Sequence, residues 1–280
     1  IHDLSKEKAA EDRLLQHTLE LEETVRHRTK DLISLISELE RAKADVSTSL
    51  EKEKELNQLK SRFVSMASHE FRTPLSSVQL SASLIDKYME QPNFEAVTKH
   101  TSRIKSAVQL LNNILNDFLS LEKLEAGVVV VNQQKINVVH LGEEITGEMQ
   151  MICKKNQHIV YQHTGANAEF ELDAHLLKSS IINLISNAIK YSGEDTFIEF
   201  TTEITDTECT IVIRDNGIGI PEEDQKNLFE PFFRAHNTGN IPGTGLGLNI
   251  VKRYVALMGG ELEYWSAIHK GTSFKMTFQK

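Results

Sequence analysis

Apolar positions follow two different rhythms along the chain. From Leu14 to Phe63 neither proline nor glycine occurs, and apolar residues recur on a heptad: Leu14, Leu21, Leu35, Ala42, Leu56 and Phe63 at one seam position, Val25, Leu32, Leu39 and Val46 at the other. Such a seam predicts a long helix that pairs in parallel with a second copy as a coiled coil. Thr18, Arg28, Ser49, Glu53 and Lys60 interrupt it, and Leu50 and Leu59 offer a shifted register, so a stutter is expected between Val46 and Leu59. A solitary helix bridging two domains would have no reason to keep so long a seam.

Helical character continues over 63–88 with Pro74 as the interruption, breaks at Gln91-Pro92-Asn93 and resumes from Phe94 to Glu125. Val97, Ile104, Val108, Leu111, Ile114, Leu115, Phe118, Leu119, Leu121 and Leu124 form a stripe at helical spacing in that second run. One hairpin of two helices cannot enclose its own stripe, whereas two hairpins from a dimer make a four-helix bundle. After Ala126-Gly127 the pattern changes to strands at Val128–Val131, Thr196–Ile204, Cys209–Ile213, Glu261–Ala267 and Thr272–Phe278. Helices are expected between them at about Val138–Lys154, Ala174–Tyr191 and Leu246–Met258. Strands mixed with helices over this length predict a separate α/β or α+β domain.

Length and composition narrow the classes. At 280 residues the chain has room for more than one core, and its net charge of -9 has the wrong sign for coating nucleic acid or an anionic membrane. Two cysteines, Cys153 and Cys209, support neither a disulfide framework nor a zinc ribbon, and a reducing compartment is the default. No apolar run approaches the roughly 20 residues of a membrane helix, so this stretch is expected to be soluble and cytoplasmic, without membrane contact.

Four segments carry candidate chemistry. In Ser68-His69-Glu70-Phe71-Arg72-Thr73-Pro74, a carboxylate adjacent to an imidazole can fix its tautomer and leave the other nitrogen nucleophilic. Zinc ligation of the His-Glu-x-x-His kind fails at Thr73, and Pro74 is expected to bend the helix below the histidine. In the second segment, Asn183, Asn187, Lys190 and Tyr191 share one helix face, and two amides with an ammonium can hold a hydrated magnesium and polyphosphate oxygens; a merely polar face would look the same. In the third, Asp215-Asn216-Gly217-Ile218-Gly219 ends an apolar strand, so Asp215 suits an exocyclic amine such as adenine's, although a hairpin turn reads alike. In the fourth, Gly243-Thr244-Gly245-Leu246-Gly247-Leu248 opens a helix and presents free N–H groups to phosphate without matching a Walker A loop or a Rossmann fingerprint. Leu228 to Arg234 upstream is read as the hinge of a lid, with Arg234 a candidate for the terminal phosphates, or else as ordinary core aromatics.

These segments, in this order, resemble the H, N, G1, F and G2 boxes of the sensor histidine kinases of two-component systems, and Gly271-Thr272-Ser273-Phe274 resembles the last glycine box. The resemblance implies a signalling coiled coil over 1–55, a dimerisation and histidine-phosphotransfer hairpin over 56–127, and over 128–280 an α/β sandwich that binds ATP, of the gyrase and heat-shock ATPase type. Asp3-Leu4-Ser5 resembles the end of a PAS domain, implying that an upstream sensor closes at about 1–6, soluble or membrane-anchored. By the same likeness His69 is the phospho-acceptor, Glu70 its neighbouring base, and Thr73 the residue that positions water for dephosphorylating the partner. Asn187 is the Mg²⁺ ligand, Asn183 and Lys190 lie near the phosphates and Tyr191 near the nucleotide. Asp215 reads adenine, with Gly217, Gly219 and Thr272 shaping its pocket; Phe233 and Arg234 belong to the lid; and Gly243, Thr244, Gly245, Leu246, Gly247 and Leu248 form the phosphate-facing loop. The expected activity is ATP-dependent phosphorylation of His69 in a homodimer, the ATP-binding domain swinging on Leu124–Gly127, then transfer to an aspartate of a response-regulator receiver domain. Glu70 and Thr73 suit phosphatase action as well. An ATPase of the same superfamily would have no use for the His69 segment, and a non-catalytic ATP-binding scaffold no need of both His69 and Asn187.

Overall fold

The computed structural model describes the backbone of residues 2–90, 93–239 and 241–280 and the side chains of 14–51, 53–54, 68, 70–88, 93–239 and 241–280. The side chains of His69, Leu56, Leu59 and Phe63, the Asp3-Leu4-Ser5 segment, the end of the expected stutter and the Gln91-Pro92 break lie outside the described residues. Two compact units divide the chain, Ile1–Arg62 and Phe63–Lys280.

The described residues of the first unit are helical, part of α1 (His2–Glu90). With no proline or glycine between Leu14 and Phe63, nothing breaks its backbone ladder. Leu14, Leu21, Val25, Leu32, Leu35, Leu39 and Val46 are all exposed in the single chain. Thr18, Thr24 and Thr29 donate their hydroxyls to carbonyls four residues back, satisfying polar groups along the helix.

In the second unit, α1 continues past Pro74 and is followed by α2 (Phe94–Glu125), capped by Asn93, whose Oδ1 accepts from the Ala96 N–H at 3.0 Å. Ring contacts between Phe71 and Phe118 at one end and Tyr88 and His100 at the other run the two helices antiparallel, the expected hairpin. His100, Ala107, Ile114, Phe118 and Leu121 are buried, while Val108, Leu115 and Leu119 stay exposed. Helix α2 ends at Gly127 in the left-handed region (φ 65°), with the Val128 N–H returning to the Lys123 carbonyl.

The strand expected at Val128–Val131 does not form. Val128 and Val130 stand exposed and no strand pairs with them; β-branched side chains supply propensity, but a strand needs a partner ladder. Pairing begins with β1 (Gln134–Asn137), antiparallel to β3 (Glu169–Leu172), an element too short and polar to read in sequence. Helix α3 (Val138–Gln150) follows, shorter than expected, then β2 (His158–Thr164), also unforeseen because its apolar stretch is only Ile159-Val160-Tyr161 between polar ends.

The remaining elements are α4 (Ala174–Tyr191), β4 (Phe197–Ile204), β5 (Glu208–Asp215), the short α5 (Glu222–Gln225), α6 (Gly247–Leu257), β6 (Glu261–Ala267) and β7 (Gly271–Gln279). The main sheet has the order β2-β4-β5-β7-β6, parallel at β2/β4 and antiparallel elsewhere. Alternation places Ile198, Phe200, Ile204, Ile211, Ile213, Phe274, Met276 and Phe278 on one buried face. Helices α3, α4 and α6 cover it, with Leu177, Ile181, Leu184, Ile185, Ile250 and Val251 nearly inaccessible. At roughly 1.5–3 kcal/mol per fully buried large apolar side chain, this single layer of helices on one sheet face supplies most of the drive for folding the sandwich. Asp173 starts α4 by accepting from His175 and Leu176 N–H and also holds the Asn132 N–H, tying the linker to the sandwich.

Candidate active site

The apolar side of α4 faces the sheet, which forces its polar stripe outward into a cleft. Asn183, Asn187, Lys190 and Tyr191 line that cleft together with Asp215, Gly219, Phe233, Arg234, Gly243, Thr244, Gly245, Gly247, Leu248 and Thr272. Residues separated by some ninety positions in sequence are thus brought to one place. Tertiary structure joins the second, third and fourth candidate segments and the lid.

One end of the cleft is built around Asp215, buried at the close of β5. Burial raises its carboxyl to about 6, against hydrogen bonds from the Gly217 N–H (2.7 Å) and the Thr272 N–H (3.3 Å) that lower it. A carboxylate so placed is short of strong donors, the environment an exocyclic amine would complete. Thr272 shares a hydrogen bond with Ser266, which also takes the Ile220 N–H, so the loop after β5 is fastened to β6 and β7. Gly219 (φ 68°) passes so close to the Ala267 carbonyl that no side chain fits there. Gly217 does not line the cleft; it stands behind Asp215 as a hydrogen-bond donor.

The other end is cationic. Lys190 is held below its ordinary value by burial, with the Asp117 carboxylate acting the other way and the nearby Arg234 guanidinium lowering it further. Arg234 donates through Nη2 to the Ile241 carbonyl, while its buried Nε has no hydrogen-bond partner among the described residues. Helix α6 begins here with no side-chain cap, leaving N–H groups at its start. A Cβ on Gly247 would come within 2.7 Å of the Asn183 Oδ1, so glycine is what allows the α6 start to approach α4. Leu246, expected in the phosphate loop, is fully buried in the core and does not line the cleft; what it offers is backbone, its N–H meeting the Thr244 hydroxyl at 3.2 Å.

The lid segment is anchored at both ends. Asn249 donates to the Phe229 carbonyl at 2.7 Å, and Phe229 packs edge-on to Tyr264 beneath Lys252. Beyond it, His236 binds the buried Asp224 through Nδ1 (2.6 Å) and its own N–H (2.8 Å), and Asn237 reaches the Gly219 carbonyl. These polar anchors, like Ser266 and Asn249, escaped the sequence reading because nothing local marks their partners.

Glu70, half-buried, and Thr73, exposed, lie on α1 and are not among the cleft residues; the side chain of His69 lies outside the described residues. Phe71, two positions after His69, touches Phe118, which in turn touches Phe232 of the lid segment, so the turn after His69 and the lid share one aromatic contact chain. Asp117 of α2 also lines the cleft, a residue the sequence reading missed because an acid on an amphipathic helix looks like surface.

The cleft meets the chemistry of a nucleoside triphosphate: a buried acceptor at one end, and an ammonium, an orphaned guanidinium nitrogen and an uncapped helix start at the other. Among the described residues no cluster of three or more His, Cys, Asp or Glu could hold a metal. No helix among the described residues is long and apolar enough to cross a membrane.

Comparison with known proteins follows the same division. Residues 172–280 match the family of histidine kinase-, DNA gyrase B- and HSP90-like ATPases, and residues 59–127 match the His Kinase A (phospho-acceptor) domain. The signal transduction histidine-protein kinase ArlS of Staphylococcus aureus (strain USA300) is 33% identical over 223 residues, 78% of this chain and 48% of ArlS. The chain spans about half the length of the curated relatives it matches. Among solved structures, the Acinetobacter baumannii histidine kinase AdeS matches with a TM-score of 0.56 at 21% identity, over 75% of this chain and 97% of AdeS. Histidine kinase ThkA, solved in complex with the response regulator protein TrrA, matches with a TM-score of 0.51 at 22% identity, over 78% of this chain and 61% of ThkA. Both likenesses concern the fold.

Proposed function

This chain belongs to the sensor histidine kinases of two-component systems, and we propose that it moves the γ-phosphoryl group of ATP to His69 and from there to an aspartate of a response-regulator receiver domain. The observation that carries the reading is the convergence of Asn183, Asn187, Lys190, Asp215 and Arg234 on one cleft whose phosphate end is an uncapped helix start. Asp215 accepts the adenine amino group, Lys190, Arg234 and the α6 N–H groups receive the phosphates, and Asn187 ligates Mg²⁺. Held there by Asn187, the metal would supply positive charge to the phosphates.

In the transfer, a ring nitrogen of His69 forms a bond to the γ-phosphorus as the bond to the β–γ bridging oxygen breaks. ADP leaves, and the ring proton passes to Glu70, a general base worth roughly 10² to 10⁴ in rate. The product is a phosphoramidate whose labile P–N bond lets a carboxylate of the regulator take the phosphoryl group. Regulator binding is supported by the ThkA complex, a protein of the same fold. A homodimer is supported by the bare seam of α1 and the exposed Val108, Leu115 and Leu119 of α2. Residues 1–55 act as the signalling helix, 56–127 as the dimerisation and phosphotransfer part, and 128–280 as the ATP-binding part.

The test is incubation with γ-labelled ATP and Mg²⁺, wild type beside His69→Gln. Label that is acid-labile, alkali-stable and absent from the variant is expected. Label that persists in the variant would show that another residue is the acceptor, and wild type that binds ATP without labelling would leave only an ATPase or scaffold.

A further inference from the structure

Asp117 is the single described residue of the helical hairpin that lines the cleft, and the phosphotransfer chemistry does not use it. Its Oδ2 accepts from the Thr244 hydroxyl at 2.9 Å, in the middle of the glycine-rich loop. It lies close enough to Lys190 for the two charges to act on each other, and Lys190 also feels Arg234. A carboxylate from α2 therefore already occupies partners that the phosphate end of the cleft would offer to a nucleotide. Around it α2 is docked on the sandwich: the Phe118 and Phe232 rings are 6.4 Å apart, and Arg253 Nη2 meets Glu125 Oε1 at 2.6 Å.

We propose that Asp117 is a resident anion that holds α2 against the nucleotide cleft and competes with the terminal phosphates of ATP, so that nucleotide binding releases this docked arrangement. The proposal rests on the reading of the cleft as an ATP site. Its physics is charge exclusion combined with satisfaction. Buried cations and a hydroxyl left without an acceptor are costly, and Asp117 supplies the acceptor while the cleft is empty of nucleotide. A triphosphate brings several negative charges to the same donors, and a half-buried carboxylate beside them is then repelled. Because coupling between two binding events is reciprocal, docking must weaken nucleotide binding by the same factor that nucleotide weakens docking, so a change that undocks α2 tightens nucleotide binding by up to that factor. Phe118 gives the device its link to the acceptor helix, since it touches both Phe232 and Phe71.

Calorimetric titration of the whole chain with ATP and Mg²⁺ tests this on wild type, Asp117→Asn, Arg253→Glu and the reversed pair Arg253→Glu/Glu125→Arg. Asp117→Asn is expected to lower Kd about five- to tenfold, within the usual range of site-to-site coupling. Arg253→Glu, whose salt bridge with Glu125 docks α2 from α6, is expected to tighten binding in the same direction, and the reversed pair to return it to the wild-type value. Unchanged affinity in Asp117→Asn overturns the proposal while leaving the ATP site intact. Weaker binding overturns it too and makes Asp117 a ligand of the nucleotide or its metal. Wild type that binds no ATP removes the reading of the cleft along with the latch.

Discussion

The α/β sandwich and the helical hairpin bury apolar surface in different ways. In α4 the buried face, including Leu177, Ile181, Leu184 and Ile185, is covered by the chain's own sheet together with α3 and α6. In α2 Ile114, Phe118 and Leu121 are buried, Phe118 meeting Phe71 of α1 and Phe232 of the lid, yet Val108, Leu115 and Leu119 on the same helix remain 43–48% exposed. The sandwich thus completes its core by itself, whereas the hairpin leaves part of its apolar stripe uncovered in the single chain. A nucleotide site needs groups held to a fraction of an ångström, which a closed core supplies.

Breaking the sandwich core should have the largest effect. Leu184→Ala is expected to cost about 2–5 kcal/mol by leaving a cavity between α4 and the sheet, read as loss of the sandwich's thermal transition while helical signal from the first 127 residues persists. Loss of both signals together would show that the two regions do not fold separately.

Asp215 sharpens the contrast because its burial is a cost the sandwich tolerates. Its carboxyl is raised from an ordinary value near 3.8 to about 6, so between these values the folded state holds a proton that the unfolded chain has released. Stability from this group is therefore fully present below the unfolded pKa and is lost as pH rises through about 6, amounting to about 3 kcal/mol by pH 8. Asp215→Asn is expected to raise the melting temperature at pH 8 and leave it unchanged near pH 4, while abolishing ATP binding. An amine donor favours the ionised form, so wild-type affinity for ATP should strengthen as pH rises through about 6. A melting temperature lowered at pH 8 by Asp215→Asn would contradict the assignment of burial as the dominant influence.

On the hairpin side, Leu115→Glu with Leu119→Glu places two charges on the stripe and is expected to weaken dimerisation at least about tenfold, equivalent to 1.4 kcal/mol, with ATP affinity little changed. Sedimentation reads the first and titration the second; a dimer of undiminished strength would locate the interface elsewhere. The smallest effect belongs to the α4 cap: Asp173→Ala, which frees the His175, Leu176 and Asn132 N–H groups, is expected to cost about 1 kcal/mol in denaturant unfolding.

Much of the cleft was legible from local spacing. Asn183, Asn187 and Lys190 share a face because they recur at helical intervals, and the glycines after Asp215 and before α6 mark places where backbone must turn or approach closely. Legibility stopped where the partner is remote. Val128–Val131 has strand propensity without a ladder to join, and β1 and β3 pair across more than thirty residues with only four positions each. Leu246 sits inside a glycine-rich motif yet belongs to the core. Asp117 acquires its meaning only from Thr244, 127 positions away.

By itself, then, the sequence determined the helical first half, the alternation of the buried sheet face, and the residue types able to bind a nucleotide and accept a phosphoryl group, because periodicity and turn chemistry act over a few residues. Only the tertiary structure decided which strands pair, that three separate segments and a lid meet in one cleft, and that a carboxylate of the hairpin enters it. Those outcomes depend on contacts distant in sequence, whose energies no local pattern encodes.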